Sequence, residues 1–75
     1  MMNTKTYFVT LTVVNDTDEP NNISEGGTFL RIATASIQTV EPVKGNKDRA
    51  ELRLNCGRRL TIKKSPTMVS LILGL

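Results

Sequence analysis

The fold is decided by residues 50–63, AELRLNCGRRLTIK, which have the pattern of two β-strands joined by a short turn. Apolar residues occupy every second position on both sides of the turn, as in strands with one buried face. A three-residue turn at 55–57, with Gly57 in the left-handed position, brings Leu52 opposite Leu60. Because a two-residue turn would oppose inward to outward residues, the sequence predicts the three-residue hairpin.

Three further segments of the chain have extended character. Residues 5–14 alternate β-branched and aromatic residues with threonines, which predicts a strand with Tyr7 on its inward side. Residues 29–33 predict another strand, and residues 37–42 predict a short extended segment. Residues 15–27 contain Asn, Asp, Pro and Gly without an apolar period, so we expect a mobile acidic loop there.

A short helix is predicted at the C-terminal end, at about 66–73. Ser65 is a favourable N-cap, and Pro66 suits the first helical position. The i, i+3, i+4, i+7 spacing predicts a core-facing stripe of Met68, Leu71, Ile72 and Leu75. This leaves Val69 and Leu73 on the other side, for which core packing and a homo-oligomer contact both remain open.

Together these elements predict one small β-rich α+β domain over residues 1–75. Its core would be a small antiparallel sheet or a partly open barrel of four to five strands, with the helix packed on it. The chain has 75 residues, of which 39% are apolar. The core is therefore thin, and self-association would add stability.

The residue composition argues against catalysis. The chain contains no histidine, which removes the usual general base and the commonest metal ligand. Its single cysteine, Cys56, can neither pair within the chain nor form a zinc site. We therefore expect no catalytic, metal or cofactor site. A lone thiol and the absence of a signal peptide or a long apolar stretch predict a cytoplasmic protein that does not use a membrane.

Charge is distributed unevenly along the chain. Residues 1–43 contain two basic and five acidic side chains, whereas residues 44–75 contain eight basic and two acidic ones. The hairpin register places four of the basic residues on its outer side and a fifth at a strand end. These predicted partner-binding residues are Arg49, Arg53, Arg59 and Lys63, with Arg58 at the strand end.

This basic hairpin has three interpretations. An acidic protein is the first predicted partner, nucleic acid or a small anionic nucleotide is the second, and a solvated face that keeps the chain soluble is the third. Exposed aromatic rings would favour nucleic acid, because bases stack on them. The chain has three aromatic residues, and the strand pattern assigns Tyr7 to the core.

Several of these elements occur together in known small proteins. A strand is followed by an Ile-x-x-Val segment at 37–40, a strand that ends at Asn55, another strand, and a Ser65-Pro66 helix start. Residues 29–73 thereby resemble the FlbD-type proteins of flagellar operons and short orphan proteins of phages and prophages. The resemblance implies a compact antiparallel sheet with one terminal helix, non-catalytic work and a phage origin. Small phage proteins often bind and modulate a host protein, and we expect this function here.

Overall fold

The computed structural model describes residues 7–19, 21 and 23–74, which form one antiparallel sheet and one helix. The strands are β1 (Phe8–Asp16), β2 (Thr28–Ala33), β3 (Ile37–Val43), β4 (Asn46–Leu54) and β5 (Arg59–Ile62), a 3-10 turn covers Thr34–Ser36, and the helix α1 is Pro66–Leu73. The strand order is β2-β1-β5-β4-β3. The predicted fold class is confirmed, with five strands in an open sheet that has β2 and β3 at its edges.

The β4–β5 hairpin has the predicted register. Leu52 lies opposite Leu60, as the parity of the alternating pattern requires. The amide of Leu54 donates to the carbonyl of Arg58, and the amide of Gly57 donates to the carbonyl of Leu54, each at 2.9 Å. Gly57 has φ +92°, so the turn needs a residue without a Cβ at this position.

Strand β1 ends two residues later than the sequence predicts, at Asp16 instead of residue 14. Its pairing with β5 shifts between Val13 and Asn15, which indicates a β-bulge. The bulge turns Asp16 to the side of the sheet that carries Leu60, its partner on β5. The loop predicted at 15–27 therefore starts too early, because Asn15 and Asp16 belong to the strand. Residues 5 and 6, predicted to begin it, lie outside the described residues.

Asp16 forms an ion pair with Arg58 at the end of the inward side of the sheet. The carboxylate is 1% exposed and the arginine side chain 28%. Arg58 Nε donates to Asp16 Oδ1 at 3.0 Å, Nη2 donates to Oδ2, and the Asp18 amide donates to Oδ1 at 3.0 Å. The hydrogen bond from Arg58 lowers the pKa of Asp16 and outweighs the opposing effect of burial. The carboxylate is thus held ionised although almost none of its surface is exposed.

The core lies between the inward side of the sheet and the helix. Its buried apolar members are Leu11, Val13, Ile32, Ala50, Leu52, Leu54, Leu60, Ile62 and Val69. Helix α1 contacts β3 and β4 on this side. The opposite side of the sheet, which carries the alternate residues of each strand, is called the outer face below. Within the described part of the chain, no helix is long and apolar enough to cross a membrane.

The helix packs on the sheet through the side that was predicted to be free. Val69 is fully buried and Leu73 packs against the core, whereas Met68, Leu71 and Ile72 are exposed. The apolar pattern fits two stripes because the helix is apolar on nearly every side, so the pattern alone could not choose between them. The helix begins at Pro66 as predicted, and Ser65 Oγ accepts from the Met68 amide at 3.2 Å as its N-cap.

This rotation corrects the predicted oligomer contact. Val69 has no exposed surface to offer to a second copy, and Leu73 is half-buried against the same core. Self-association of the chain stays a prediction. Val69 and Leu73 are no longer candidates for its contact surface. Leu75, which was also predicted to face inward, lies outside the described residues.

At Gly27, both the backbone conformation and the close packing require a glycine. It has φ +110°, and a Cβ on it would lie 2.6 Å from Thr12 Cγ2. We expect Gly27→Ala to lower the free energy of unfolding by about 2–4 kcal/mol, from positive-φ strain together with overpacking. Gly26→Ala is the matched control in urea unfolding, because Gly26 has φ +84° and open space around it. Equal losses in the two variants would show that the contact with Thr12 is unimportant.

Candidate functional site

The predicted basic residues of the hairpin meet on the outer face. Arg53 lies directly opposite Arg59 in the β4–β5 ladder. Arg49 and Lys63 follow the last pair of this ladder, Ala50 with Ile62, and therefore also face outward. Both side chains line one cleft. Four of the five predicted binding residues therefore share one surface of two neighbouring strands.

Arg58 lies elsewhere. It precedes β5 and shares the inward parity of Leu60, where it is paired with the buried carboxylate of Asp16. Its predicted place on the basic surface is therefore wrong, and its guanidinium is engaged in holding the sheet together. The sequence could not show this, because the bulge that turns Asp16 inward leaves no mark in the alternating pattern.

The cations of the outer face have little compensation. Arg59 Nε lies 3.8 Å from Glu51 Oε1, and both side chains are substantially exposed, so this ion pair is weak. Within residues 7–19, 21 and 23–74, no carboxylate lies within 4.0 Å of Arg49, Arg53 or Lys63. The surface therefore has a local excess of positive charge that an anionic partner would neutralise.

Arg53 has a second unusual property. Its Nε atom is buried and has no hydrogen-bond partner among the described residues. A buried donor without an acceptor costs free energy in the folded protein. Arg53 and the opposed Arg59 place two guanidiniums side by side on the outer face, where an anion could accept hydrogen bonds from their outward-facing donors.

All three aromatic side chains are exposed, which the sequence did not predict for Tyr7. The exposed fractions are 62% for Tyr7, 51% for Phe8 and 76% for Phe29. Tyr7 precedes β1 and is not part of the core. The Phe8 ring lies 4.5 Å from the guanidinium carbon of Arg31, a cation–π contact on the outer face. The order of residues could not show that, in the described part of the chain, the helix packs on the other side of the sheet.

The aromatic and basic residues form one continuous surface. Thr12 faces Phe29 across the β1–β2 ladder, and the carbonyl of Thr12 accepts from the Lys63 amide at 2.9 Å. One row across the outer face therefore contains Phe29, Thr12, Lys63 and Arg49, with Arg53 and Arg59 further along the same strands. We call this surface the ring-and-cation face.

Comparisons with protein-family models, with curated proteins and with solved structures find no match to this chain. The resemblance to FlbD-type and short phage proteins therefore stays a prediction.

Proposed function

We propose that this protein is a non-catalytic binding protein that holds single-stranded nucleic acid on its ring-and-cation face. The observation that supports this most strongly is the exposure of Phe8 and Phe29 on the same sheet face as the four cations of the hairpin. Proteins that bind single strands combine a positively charged surface for phosphates with aromatic side chains on which bases stack. The sequence alone ranked this function second because it placed an aromatic residue in the core.

The dimensions of the face suit a short stretch of strand. The row from Phe29 to Arg49 spans three strand spacings, roughly 14 Å. Arg59 lies four residues along β5 from Lys63, which adds roughly 13 Å in the other direction. A site of this size corresponds to about four nucleotides, the lower end of what single β-rich domains occupy. Stacking and phosphate contacts are tolerant of base identity, so binding should depend little on sequence.

Fluorescence anisotropy with a labelled oligothymidine of about 12 nucleotides tests this function. With three or four phosphate contacts, the affinity should fall about 20- to 50-fold between about 50 mM and about 200 mM salt. A duplex of the same length should bind more weakly, because its bases are not available for stacking. No saturable anisotropy change at the lower salt concentration would contradict the proposal.

A phenylalanine variant separates stacking from simple charge attraction. Phe29→Ala should weaken oligothymidine binding by about 1–3 kcal/mol and leave the salt dependence unchanged. Leu71→Ala is the matched control, because Leu71 is an exposed apolar residue on the opposite side of the molecule. If both variants bind as the unchanged protein does, base stacking on this face is not part of the interaction.

An acidic protein partner, the first prediction from sequence, is the second candidate. It is supported by the Arg53–Arg59 pair, since two opposed guanidiniums would suit the carboxylates of a partner. A peptide rich in Asp and Glu that binds where the oligonucleotide fails would put this candidate first. A cytoplasmic location, a phage origin and modulation of a host component belong to the same proposal.

A further inference from the structure

A cleft of 320 Å³ opens beside the ring-and-cation face. Residues 24–27, the turn that precedes β2, line one side of the cleft, and Arg49 and Lys63 line the other. Val14 and Ile23 add apolar surface. The volume is at the lower end of the range for small-molecule sites and exceeds the size of a single inorganic anion.

The turn has backbone donors to offer. The Gly27 amide donates to the Ser24 carbonyl at 2.9 Å, and Gly26 has φ +84°, which closes a tight turn that needs glycine. The Ser24 amide donates to Thr28 Oγ1 at 2.8 Å. Among the described residues, the amides of Glu25 and Gly26 have no acceptor.

The charges around the cleft favour an anion. Arg49 and Lys63 are two cations without a carboxylate within 4.0 Å in the part of the chain that the structure describes. Glu25 lines the opposite wall and offsets one of the two positive charges. The net charge of the three side chains is therefore positive and attracts an anion. The negative charge of Glu25 weakens this attraction.

We propose that this cleft is a binding site for a phosphate group. A phosphate has three or four acceptor oxygens and can contact both cations and the turn amides at once, whereas a carboxylate has two oxygens. The rest of the volume would hold the group to which the phosphate is attached. The phosphate could come from a small phosphorylated molecule or from the end of a bound strand, and the second source rests on the proposed function.

Titration of the ¹⁵N-labelled protein with inorganic phosphate, at an ionic strength held constant with chloride, tests the site. The amides of residues 24–27 should shift saturably. Lys63→Gln should weaken this binding about tenfold, whereas Lys64→Gln, the adjacent exposed lysine that does not line the cleft, should leave it unchanged. The remaining spectrum reports whether each variant is folded.

Glu25→Gln gives an effect in the opposite direction, which a loss of folding could not imitate. Removal of its negative charge should tighten phosphate binding about three- to tenfold. Shifts that do not saturate, shifts that chloride alone reproduces, or equal binding by the Lys63 and Lys64 variants would overturn the proposal.

Two further titrations identify the source of the phosphate and separate the two proposals. A nucleoside monophosphate tests the small-molecule source, and oligothymidines with and without a 5′-phosphate test the strand end. Tighter binding of either phosphorylated ligand than of its unphosphorylated counterpart supports the site. If phosphate binds and oligothymidine does not, the cleft stands and the proposed function falls. If oligothymidine binds and phosphate causes no saturable shift, the proposed function stands and the phosphate site in the cleft falls.

Discussion

Replacement of Arg53 and Arg59 by glutamate together should weaken binding of single-stranded DNA about 100-fold or more. The two side chains lie directly opposite each other on the outer face, so the double variant removes two phosphate contacts and adds two repulsive charges at one place. Fluorescence anisotropy with oligothymidine at low salt measures the loss. Because both residues point away from the core, circular dichroism should show an unchanged fold.

A variant with the same change in net charge provides the control. Lys44→Glu with Lys47→Glu alters two exposed lysines at the β3–β4 turn, away from the aromatic rings. It should cost far less affinity than the change at Arg53 and Arg59. The neutral variant Arg53→Gln with Arg59→Gln should lower the salt slope by about 1.4, since each lost phosphate contact removes about 0.7. Equal losses in the two charge-reversed proteins would mean that total charge, and not this face, drives binding.

Replacement of Asp16 by alanine should lower the free energy of unfolding by about 2–4 kcal/mol, because it leaves the Arg58 guanidinium partly buried without a partner. The expected loss is at the lower end for a buried pair, since Arg58 is 28% exposed and can recover some hydration. The total free energy of unfolding of a chain of 75 residues is about 4–11 kcal/mol. The variant should therefore unfold at a much lower urea concentration.

Asp18→Ala is the matched control, because Asp18 is exposed. Its replacement should change the free energy of unfolding by no more than about 0.5 kcal/mol. The pH dependence gives a second reading of the same contact. Since the folded pKa of Asp16 is lowered, its contribution is present above the unfolded carboxyl pKa of about 3.9 and is lost as the pH falls through the folded value. In the Asp16→Ala variant, the free energy of unfolding should therefore fall less steeply as the pH is lowered through this range. Equal urea midpoints for the alanine variants at positions 16 and 18 would contradict the role given to the ion pair.

The local chemistry of the chain was sufficient to predict much of the fold. The parity of alternating residues determines the register of Leu52 with Leu60, and Ser65 and Pro66 determine the helix start. These features involve residues that are close in sequence or paired across one short turn. Their physical causes, turn length, side-chain alternation and capping, are all visible in the order of the residues.

The features that the sequence did not predict depend on contacts between distant segments. The adjacency of β1 and β5 and the bulge beside Asn15 arise only when the two strands pair, and together they bring Asp16 to Arg58. The helix rotation depends on how α1 leaves β5, because its apolar residues fit two stripes. Exposure of Tyr7 follows from its position before β1 begins.

The candidate site was partly predictable for the same reason. Arg49, Arg53, Arg59 and Lys63 meet because the hairpin parity brings them together, which is a local property. Their connection to Phe29 runs through β1 and requires the strand order, which no single segment encodes. An exposed aromatic residue on a polar strand face, such as Phe8 among threonines, is the one signal in the sequence that could have indicated it.

The most direct test of the central claim is a map of amide chemical shifts in the ¹⁵N-labelled protein as oligothymidine is added. The ring-and-cation face should give saturable shifts at Phe29, Lys63, Arg53 and Arg59, while the amides of α1 on the other side of the sheet remain unchanged. Shifts confined to α1, or no saturable shift anywhere at low salt, would contradict the binding of single-stranded nucleic acid on this face.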